Sequence, residues 1–145
     1  MDSIDRKSVI AILNRILEQE LAGVVRYTHY SLMVYGFGRI PIVSWLRDQA
    51  TESLTHAHIA GEWITTLEGH PSLSIGPLLD SHSTSIADIL TESLQTEAQA
   101  LHLYHQLLDL VRDRSVALEE YARSMIAAEE MHAGEVQKML RKPAA

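Results

Sequence analysis

The stretch Glu129-Glu130-Met131-His132 sets a carboxylate and an imidazole three residues apart, and Glu97 stands 35 residues before His132. Residues three apart on a helix share one face, so the carboxylate of Glu129 and the imidazole of His132 point the same way. The layout recurs earlier in the chain, because Glu20 stands 36 residues before His56. A glutamate on one helix followed by a histidine on the next, twice over, predicts a metal site inside a helical bundle.

One position breaks this repeat. Ser53 stands three residues before His56, at the place that Glu129 takes relative to His132. The site therefore lacks one carboxylate of the symmetric arrangement. Water, Ser53 itself or a shifted Glu52 could fill the place, and restoring a carboxylate with Ser53→Glu is expected to raise the metal count toward two per chain.

The missing carboxylate makes the two halves of the site unequal. Around two ions, three carboxylates leave excess positive charge in a core of low dielectric constant. We therefore expect tight binding by Glu97, Glu129 and His132, which keep the full pattern, and weak binding by Glu20 and His56.

The composition restricts the chemistry. The chain of 145 residues is 46% hydrophobic, which suits a single domain over residues 1–145 with a real core. It contains no cysteine, so a metal must be held by Glu, Asp, His or Tyr. This donor set favours iron or manganese and leaves zinc possible. We expect one or two iron ions per chain.

The charge and the amino-terminal sequence restrict partners and location. The formal net charge of -7 argues against binding to nucleic acid or to an anionic membrane, since neutralising phosphates needs a cationic face. The first five residues lack a basic region followed by an apolar run, and no stretch of about 18 apolar residues occurs. We therefore expect a cytoplasmic protein.

Apolar periodicity and helix-ending residues predict four helices and no strand. Asp5 or Ser8 is expected to cap the first helix, Pro41 suits the first turn of the second, and Gly69 suits its end. The predicted helices cover about residues 5–35, 41–69, 83–112 and 115–140.

Loop lengths predict how these helices connect. The first and third connections have only a few residues, so each joins an antiparallel pair. The middle connection of about 14 residues spans about 46 Å when extended, which matches a helix of about 40 to 45 Å. We therefore predict an all-α four-helix bundle with a long crossover between helices two and three, which makes those two helices parallel.

Each predicted helix has a stripe that is apolar at its ends and polar near its middle, the pattern of a core that contains a polar layer. Burying three carboxylates and two imidazoles at one level costs several kcal/mol per ion unless positive charge compensates. The inward positions are Ile10, Leu13, Leu17, Glu20, Val24, Tyr27, Ser31 and Val34; Ile42, Leu46, Gln49, Ser53, His56, Ala60, Trp63 and Leu67; Leu90, Leu94, Glu97, Leu101, Tyr104, Leu108 and Val111; Leu118, Ala122, Met125, Glu129, His132, Val136 and Met139.

Some apolar residues lie off these stripes. Four of them are expected to face outward and to leave exposed apolar surface on the first two helices: Val25, Met33, Ile59 and Ile64. Such a face predicts a homo-oligomer, at least a dimer.

Two tyrosines extend the repeat. Tyr27 lies seven residues after Glu20, and Tyr104 lies seven residues after Glu97, so each shares a helix face with its glutamate. Tyr27 is the candidate catalytic residue, as a hydrogen-bond donor to a ligand carboxylate or as a local electron donor, with plain packing as the alternative. The histidines off the stripes are not expected to be ligands: His29, His58, His70, His82, His102 and His105.

Three stretches resemble bacterioferritins, a family within the ferritin-like superfamily. Residues 13–21 (LNRILEQEL) resemble the family's opening helix, residues 67–71 (LEGHP) resemble the end of its second helix, and residues 129–132 (EEMH) resemble its fourth-helix motif. The resemblance covers nearly the whole chain. It implies a di-iron ferroxidase centre that oxidises Fe(II) with oxygen or peroxide and passes ferric ion to a mineral inside a protein shell.

The resemblance also implies a role for each ligand. Glu20 and Glu97 would be terminal carboxylates, Glu129 a bridging carboxylate, and His56 and His132 the capping imidazoles. All five residues match the family's pattern at these positions.

The chain departs from the family at three places. Ser53 occupies the place of the second bridging carboxylate, and Leu54 occupies that of the methionine that ligates haem, so no haem is expected. The sequence ends 13 residues after His132, so no fifth helix is expected.

The leading hypothesis is a bacterioferritin-like iron-binding protein with possible ferroxidase activity and iron storage. Two alternatives remain: a non-catalytic oligomeric bundle that holds one structural metal ion, and a di-metal oxidase that acts on a small organic substrate.

Overall fold

In the computed structural model, which describes residues 3–143, four α-helices and no strand are present. The predicted all-α bundle is confirmed, and each helix begins and ends within a few residues of its predicted bounds. The predicted domain limits, Met1 and Ala145, lie outside the described residues. The helices are α1 (Arg6–Met33), α2 (Arg39–Thr66), α3 (Ile86–Val111) and α4 (Val116–Leu140).

Short polar side chains begin three of the helices. Asp5, rather than Ser8, caps α1 by accepting a hydrogen bond from the Ser8 amide at 3.3 Å. Ser85 caps α3, close to the start predicted at about residue 83, and Ser115 caps α4, which was predicted to start at about residue 115. Each cap satisfies a backbone N–H that has no partner within its helix.

The end of α2 differs from the prediction. Glu68, not Gly69, takes the left-handed backbone conformation, with φ at 68°. Gly69 donates its amide to the carbonyl of Ile64 at 2.8 Å. A Cβ at position 69 would lie 2.8 Å from Cγ2 of Ile10, so the glycine permits close packing against α1.

The crossover between α2 and α3 runs along α1. The side chain of Asn14 donates to the carbonyl of His70 and accepts from the amide of Ser72, at 3.1 and 2.7 Å. The amide of Gly76 then donates to the carbonyl of Glu18 at 2.8 Å. Near the far end, the amide of Tyr35 donates to the carbonyl of Thr84. The segment therefore crosses the bundle lengthwise, and the predicted crossover topology is confirmed.

The core has two apolar parts with a polar layer between them. The larger part includes Leu13, Leu107 and Leu118, and the smaller includes Leu46 and Ile89. This arrangement agrees with stripes that are apolar at their ends and polar in the middle.

Two side chains face the other way from the prediction. Ile64, expected on the surface, is fully buried, and Met139, expected inside, is 42% exposed. Val25 and Ile59 are exposed as expected. The rotation of α2 about its axis explains the first difference, because Ile64 enters the core where Trp63 was expected and Trp63 is only partly buried.

Among the described residues, no helix is both long enough and apolar enough to cross a membrane.

Candidate metal centre

All four helices contribute to one polar site at the middle of the bundle. Glu20 comes from α1, His56 from α2, Glu97 from α3, and Glu129 and His132 from α4. These five side chains line one cavity of about 20 Å³, which holds about one water molecule. The structure therefore brings together all five residues that the sequence indicated as ligands.

Three of these side chains form a tight cluster. Nδ1 of His56 lies 2.9 Å from Oε2 of Glu20 and 3.9 Å from Oε1 of Glu129. One ligand atom from each of the three residues lies within 4.8 Å of the others. Glu20 and Glu129 are 5% and 7% exposed, so two carboxylates face one imidazole in a nearly dry environment.

The other two side chains are held by aromatic residues. Tyr27 donates a hydrogen bond to Oε1 of Glu97, and the same oxygen lies 3.5 Å from Nε2 of His132. The indole of Trp45 stacks on the His132 ring, with centroids 5.6 Å apart and planes 7° from parallel. The spacing of residues in the sequence gave no indication of this contact of Trp45.

The cluster of Glu20, His56 and Glu129 belongs largely to the half that was expected to bind weakly. Glu97 is instead engaged by Tyr27. The order of affinity of the two halves stays a prediction.

Glu97 and Glu129 shift each other's pKa in opposite directions. Burial raises the pKa of Glu129 well above its ordinary value, and hydrogen bonding to Glu97 and repulsion by its charge add to the shift. Burial also acts to raise the pKa of Glu97, but the hydrogen bond with Glu129, the charge of His132 and the hydrogen bond from Tyr27 outweigh it and lower this pKa. In the metal-free chain the proton therefore stays on Glu129.

Glu20 and His56 form a second pair whose pKa values affect each other. Burial raises the pKa of Glu20, although the hydrogen bond and charge of His56 act against this shift. Burial acts to lower the pKa of His56, but the hydrogen bond and charge of Glu20 outweigh it and raise this pKa. A cation that binds here displaces protons, because metal ligands must be deprotonated.

Ser53 does not replace the missing carboxylate, because its hydroxyl is shorter than a glutamate side chain and carries no charge. Its Oγ lies 2.8 Å from the place where a Cβ at Gly23 would stand, so it packs against the backbone of α1. Glu52 lies at the edge of the site, with Oε1 3.7 Å from Nε2 of His56 and its side chain 54% exposed. Glu52 is therefore near the site but largely in solvent.

Arg26 lines the same cavity and was missed in the sequence. It is only 7% exposed, and its Nε and Nη1 are buried without a hydrogen-bond partner. The sequence did contain one signal. Arg26 lies three residues after Gly23, so these two residues share a helix face, and it directly precedes the inward-facing Tyr27. The site thus contains a buried positive charge as well as three carboxylates.

The histidines outside the inward-facing stripes do not line the candidate metal centre. His29 and His82 approach each other near the surface, with Nε2 and Nδ1 3.3 Å apart. The other four are exposed: His58, His70, His102 and His105.

A comparison with known protein families identifies the fold. The model of the ferritin-like domain matches residues 10–144. The chain belongs to the ferritin-like domain family. This ferritin-like protein matches no curated protein sequence.

Solved structures agree with this assignment. A ferritin-like diiron-carboxylate protein from Bacillus anthracis has a TM-score of 0.88 at 23% identity, covering 94% of this chain and 98% of that chain. A dodecameric thioferritin from Bacteroides fragilis, described as bacterioferritin-related, has a TM-score of 0.85 at 23% identity over 96% of this chain and 88% of that one. The bacterioferritin of Rhodobacter capsulatus has a TM-score of 0.81 at 25% identity over 92% and 84%. The resemblance to bacterioferritins is confirmed at the level of the fold.

Proposed function

We propose that this ferritin-like protein binds Fe(II) at the centre of its bundle. The observation that carries the proposal is the buried cluster of Glu20, His56 and Glu129, whose ligand atoms lie within 4.8 Å of one another. Burying such a cluster is unfavourable unless a cation joins it. Oxygen and imidazole donors suit Fe(II) and Mn(II), and zinc also accepts them. The family to which the chain belongs includes diiron-carboxylate proteins, which supports iron as the metal.

The activity that we propose is the oxidation of bound Fe(II), which is the substrate. Each Fe(II) gives up one electron, so the reduction of one dioxygen to hydrogen peroxide consumes two Fe(II) and two protons, and its reduction to water consumes four Fe(II) and four protons. These ions come in succession to one site or from the sites of several chains. Tyr27 holds Glu97 by a hydrogen bond and keeps one carboxylate oriented toward the metal. Glu129 must lose its proton to hold iron, which brings the charge of the ligands toward that of the cation.

Iron storage is a finer proposal that requires assembly. Exposed apolar side chains on α1 and α2, among them Val25, Leu32 and Ile59, support a homo-oligomer of at least two chains. A similar structure is named as a dodecamer, which supports assembly into a shell.

We further propose a cytoplasmic location. We also propose that no haem binds, since Leu54 offers no sulfur or nitrogen ligand. Binding to nucleic acid or membrane is not proposed, given the net charge of -7.

One observation favours a second candidate function. Arg26 also lines a half-open pocket of about 320 Å³ on the outer side of the site, together with Val25, Tyr30 and Leu78. This volume is in the range of small-molecule sites. An oxidase acting on a small organic substrate is therefore the second candidate. Val25→Trp should fill this pocket and lower oxygen uptake driven by small organic substrates while leaving Fe(II) oxidation unchanged.

Anaerobic Fe(II) loading of metal-free protein, followed by exposure to oxygen, tests the first proposal. We expect at least one Fe(II) bound per chain, and oxygen consumption that ends when the bound iron is oxidised. Glu129 belongs both to the buried cluster and to the half expected to bind tightly, so Glu129→Gln should abolish both, whereas Glu62→Gln, on the exposed face of α2, should leave both unchanged. Iron binding without oxygen uptake above the buffer rate would support the non-catalytic bundle. The absence of iron binding would overturn the proposal.

A further inference from the structure

Arg26 places a fixed positive charge beside the incomplete half of the site. Its Nη2 lies 3.7 Å from the place where a Cβ at Gly23 would stand, and Oγ of Ser53 lies 2.8 Å from the same place. The guanidinium and Ser53 are therefore neighbours over the same point of α1. Both line the cavity that holds the candidate ligands.

No carboxylate lies within hydrogen-bond distance of the two innermost nitrogens of the guanidinium. Nε and Nη1 are buried without an acceptor. Glu92, on the outer side of Arg26, instead accepts a hydrogen bond from Oη of Tyr30 at 2.6 Å. An unpaired buried charge is costly. The nearby carboxylates of Glu20 and Glu97 and the ring of Tyr27, whose centroid lies 5.9 Å from Cζ, stabilise this arginine.

The internal repeat shows that this charge exists in one half only. The residue before Tyr27 is Arg26, whereas the residue before Tyr104 is Leu103, which is buried in the apolar core. The half with Leu103 keeps the full Glu-x-x-His pair, and the half with Arg26 has Ser53 instead. The half with Arg26 therefore has one negative charge fewer and one positive charge more than the other half.

The buried charges then balance a single divalent ion. Glu20, Glu97 and Glu129 give -3 when ionised, Arg26 gives +1, and the sum of -2 matches one divalent cation. Two divalent ions in the same low-dielectric space would leave an excess of +2, which is strongly unfavourable. Glu52 does not change this balance, because its side chain is largely solvated.

We propose that Arg26 takes the electrostatic role of a second metal ion, so that this site is mononuclear. The inference rests on the proposed function, since it concerns how many Fe(II) ions the site holds. It also changes the expectation for Ser53→Glu: a carboxylate introduced at this position would pair with Arg26 and would not recruit a second ion. Removing the arginine and adding the carboxylate together should change the sum from -2 to -4 and admit two ions.

The experiment counts Fe(II) bound per chain under anaerobic conditions, by equilibrium dialysis and elemental analysis. The proteins are the wild type, Ser53→Glu, the double variant Arg26→Gln with Ser53→Glu, and the matched control Arg26→Lys with Ser53→Glu, which keeps the positive charge. Far-UV circular dichroism establishes that each variant is folded. We expect one ion for the wild type, for Ser53→Glu and for the lysine control, and two for the glutamine double variant.

Three results would overturn the inference while leaving the proposed function intact: two ions in the wild type, two in Ser53→Glu alone, or one in a folded double variant. Iron binding that is absent from the wild type would instead refute the proposed function and this inference with it. If the glutamine double variant is unfolded, two ions in Ser53→Glu would still refute the inference, and one ion there together with one in the lysine control would support it.

Discussion

Tyr27 donates a hydrogen bond to Oε1 of Glu97, and its Oη lies 3.4 Å from Nε2 of His132. One tyrosine on α1 therefore contacts a candidate ligand from α3 and another from α4. Such outer contacts orient metal ligands, and their loss typically lowers metal affinity or activity by about 10-fold to 100-fold.

This contact leads to a prediction for Tyr27→Phe. The variant should bind Fe(II) at least about 10-fold more weakly while staying folded, because Glu97 loses its fixed orientation. Isothermal titration calorimetry under anaerobic conditions measures the affinity. Tyr35→Phe is the control, since Tyr35 is 64% exposed and should bind as the wild type does. If Tyr27→Phe keeps full affinity but oxidises iron more slowly, the role of electron donor would be favoured over that of an orienting residue.

The raised pKa of Glu129 predicts how the stability of the metal-free protein depends on pH. Above the ordinary carboxyl range, the folded chain keeps a proton on Glu129 that the unfolded chain has released. The folded state then binds more protons, so the free energy of unfolding falls as pH rises. We expect the melting temperature of the metal-free protein to be lower at pH 8 than at pH 5.

Glu129→Gln tests this pH dependence. The amide needs no added proton, so at pH 8 the variant should be more stable than the wild type by about 2 kcal/mol, the scale of an unfavourable buried polar group. The fall with pH should become shallower but not vanish, because the pKa values of Glu20 and His56 are raised in the same direction. Thermal unfolding in the presence of a chelator measures both effects, and equal slopes for the two proteins would contradict the assignment of the proton.

Metal removal should lower stability. A ligand at 100 times its dissociation constant stabilises the folded state by about 2.7 kcal/mol. At this chain length that free energy corresponds to a melting temperature higher by about 5 to 10 °C. Differential scanning calorimetry with and without anaerobic Fe(II) measures the shift. His56→Ala should show a smaller shift because it removes one candidate ligand, whereas His58→Ala, on the exposed side of α2, should keep the full shift.

The burial of Ile64 gives a prediction about the core. Ile64→Ala should lower the free energy of unfolding by about 2 to 5 kcal/mol, because it opens a cavity in the larger apolar part of the core. Ile40→Ala makes the same chemical change at a residue that is 86% exposed, and it should alter stability by about 0.5 kcal/mol or less. Urea unfolding monitored by circular dichroism measures both. Similar losses for the two variants would mean that α2 faces the core through a different side.

The spacing of polar residues along the helices allowed much of the candidate site to be predicted. Glu20, His56, Glu97, Glu129 and His132 all line one cavity, as the repeat had indicated. Their convergence follows from helix periodicity and loop length, which are local properties of the sequence. The contacts of Trp45 and the burial of Arg26 were not foreseen, because they depend on which side chains of neighbouring helices face each other.

The sequence by itself determined four helices, their order and crossover, and the level at which the carboxylates and imidazoles meet, since apolar periodicity, capping residues and loop length act over short stretches of chain. Only the tertiary structure decided that Ile64 enters the core, that Glu20, His56 and Glu129 form the closest cluster, and that Arg26 is buried beside Ser53. These outcomes depend on the rotation of each helix about its axis and on the distance between helices. Packing of the whole core sets those quantities, and no single helix encodes them.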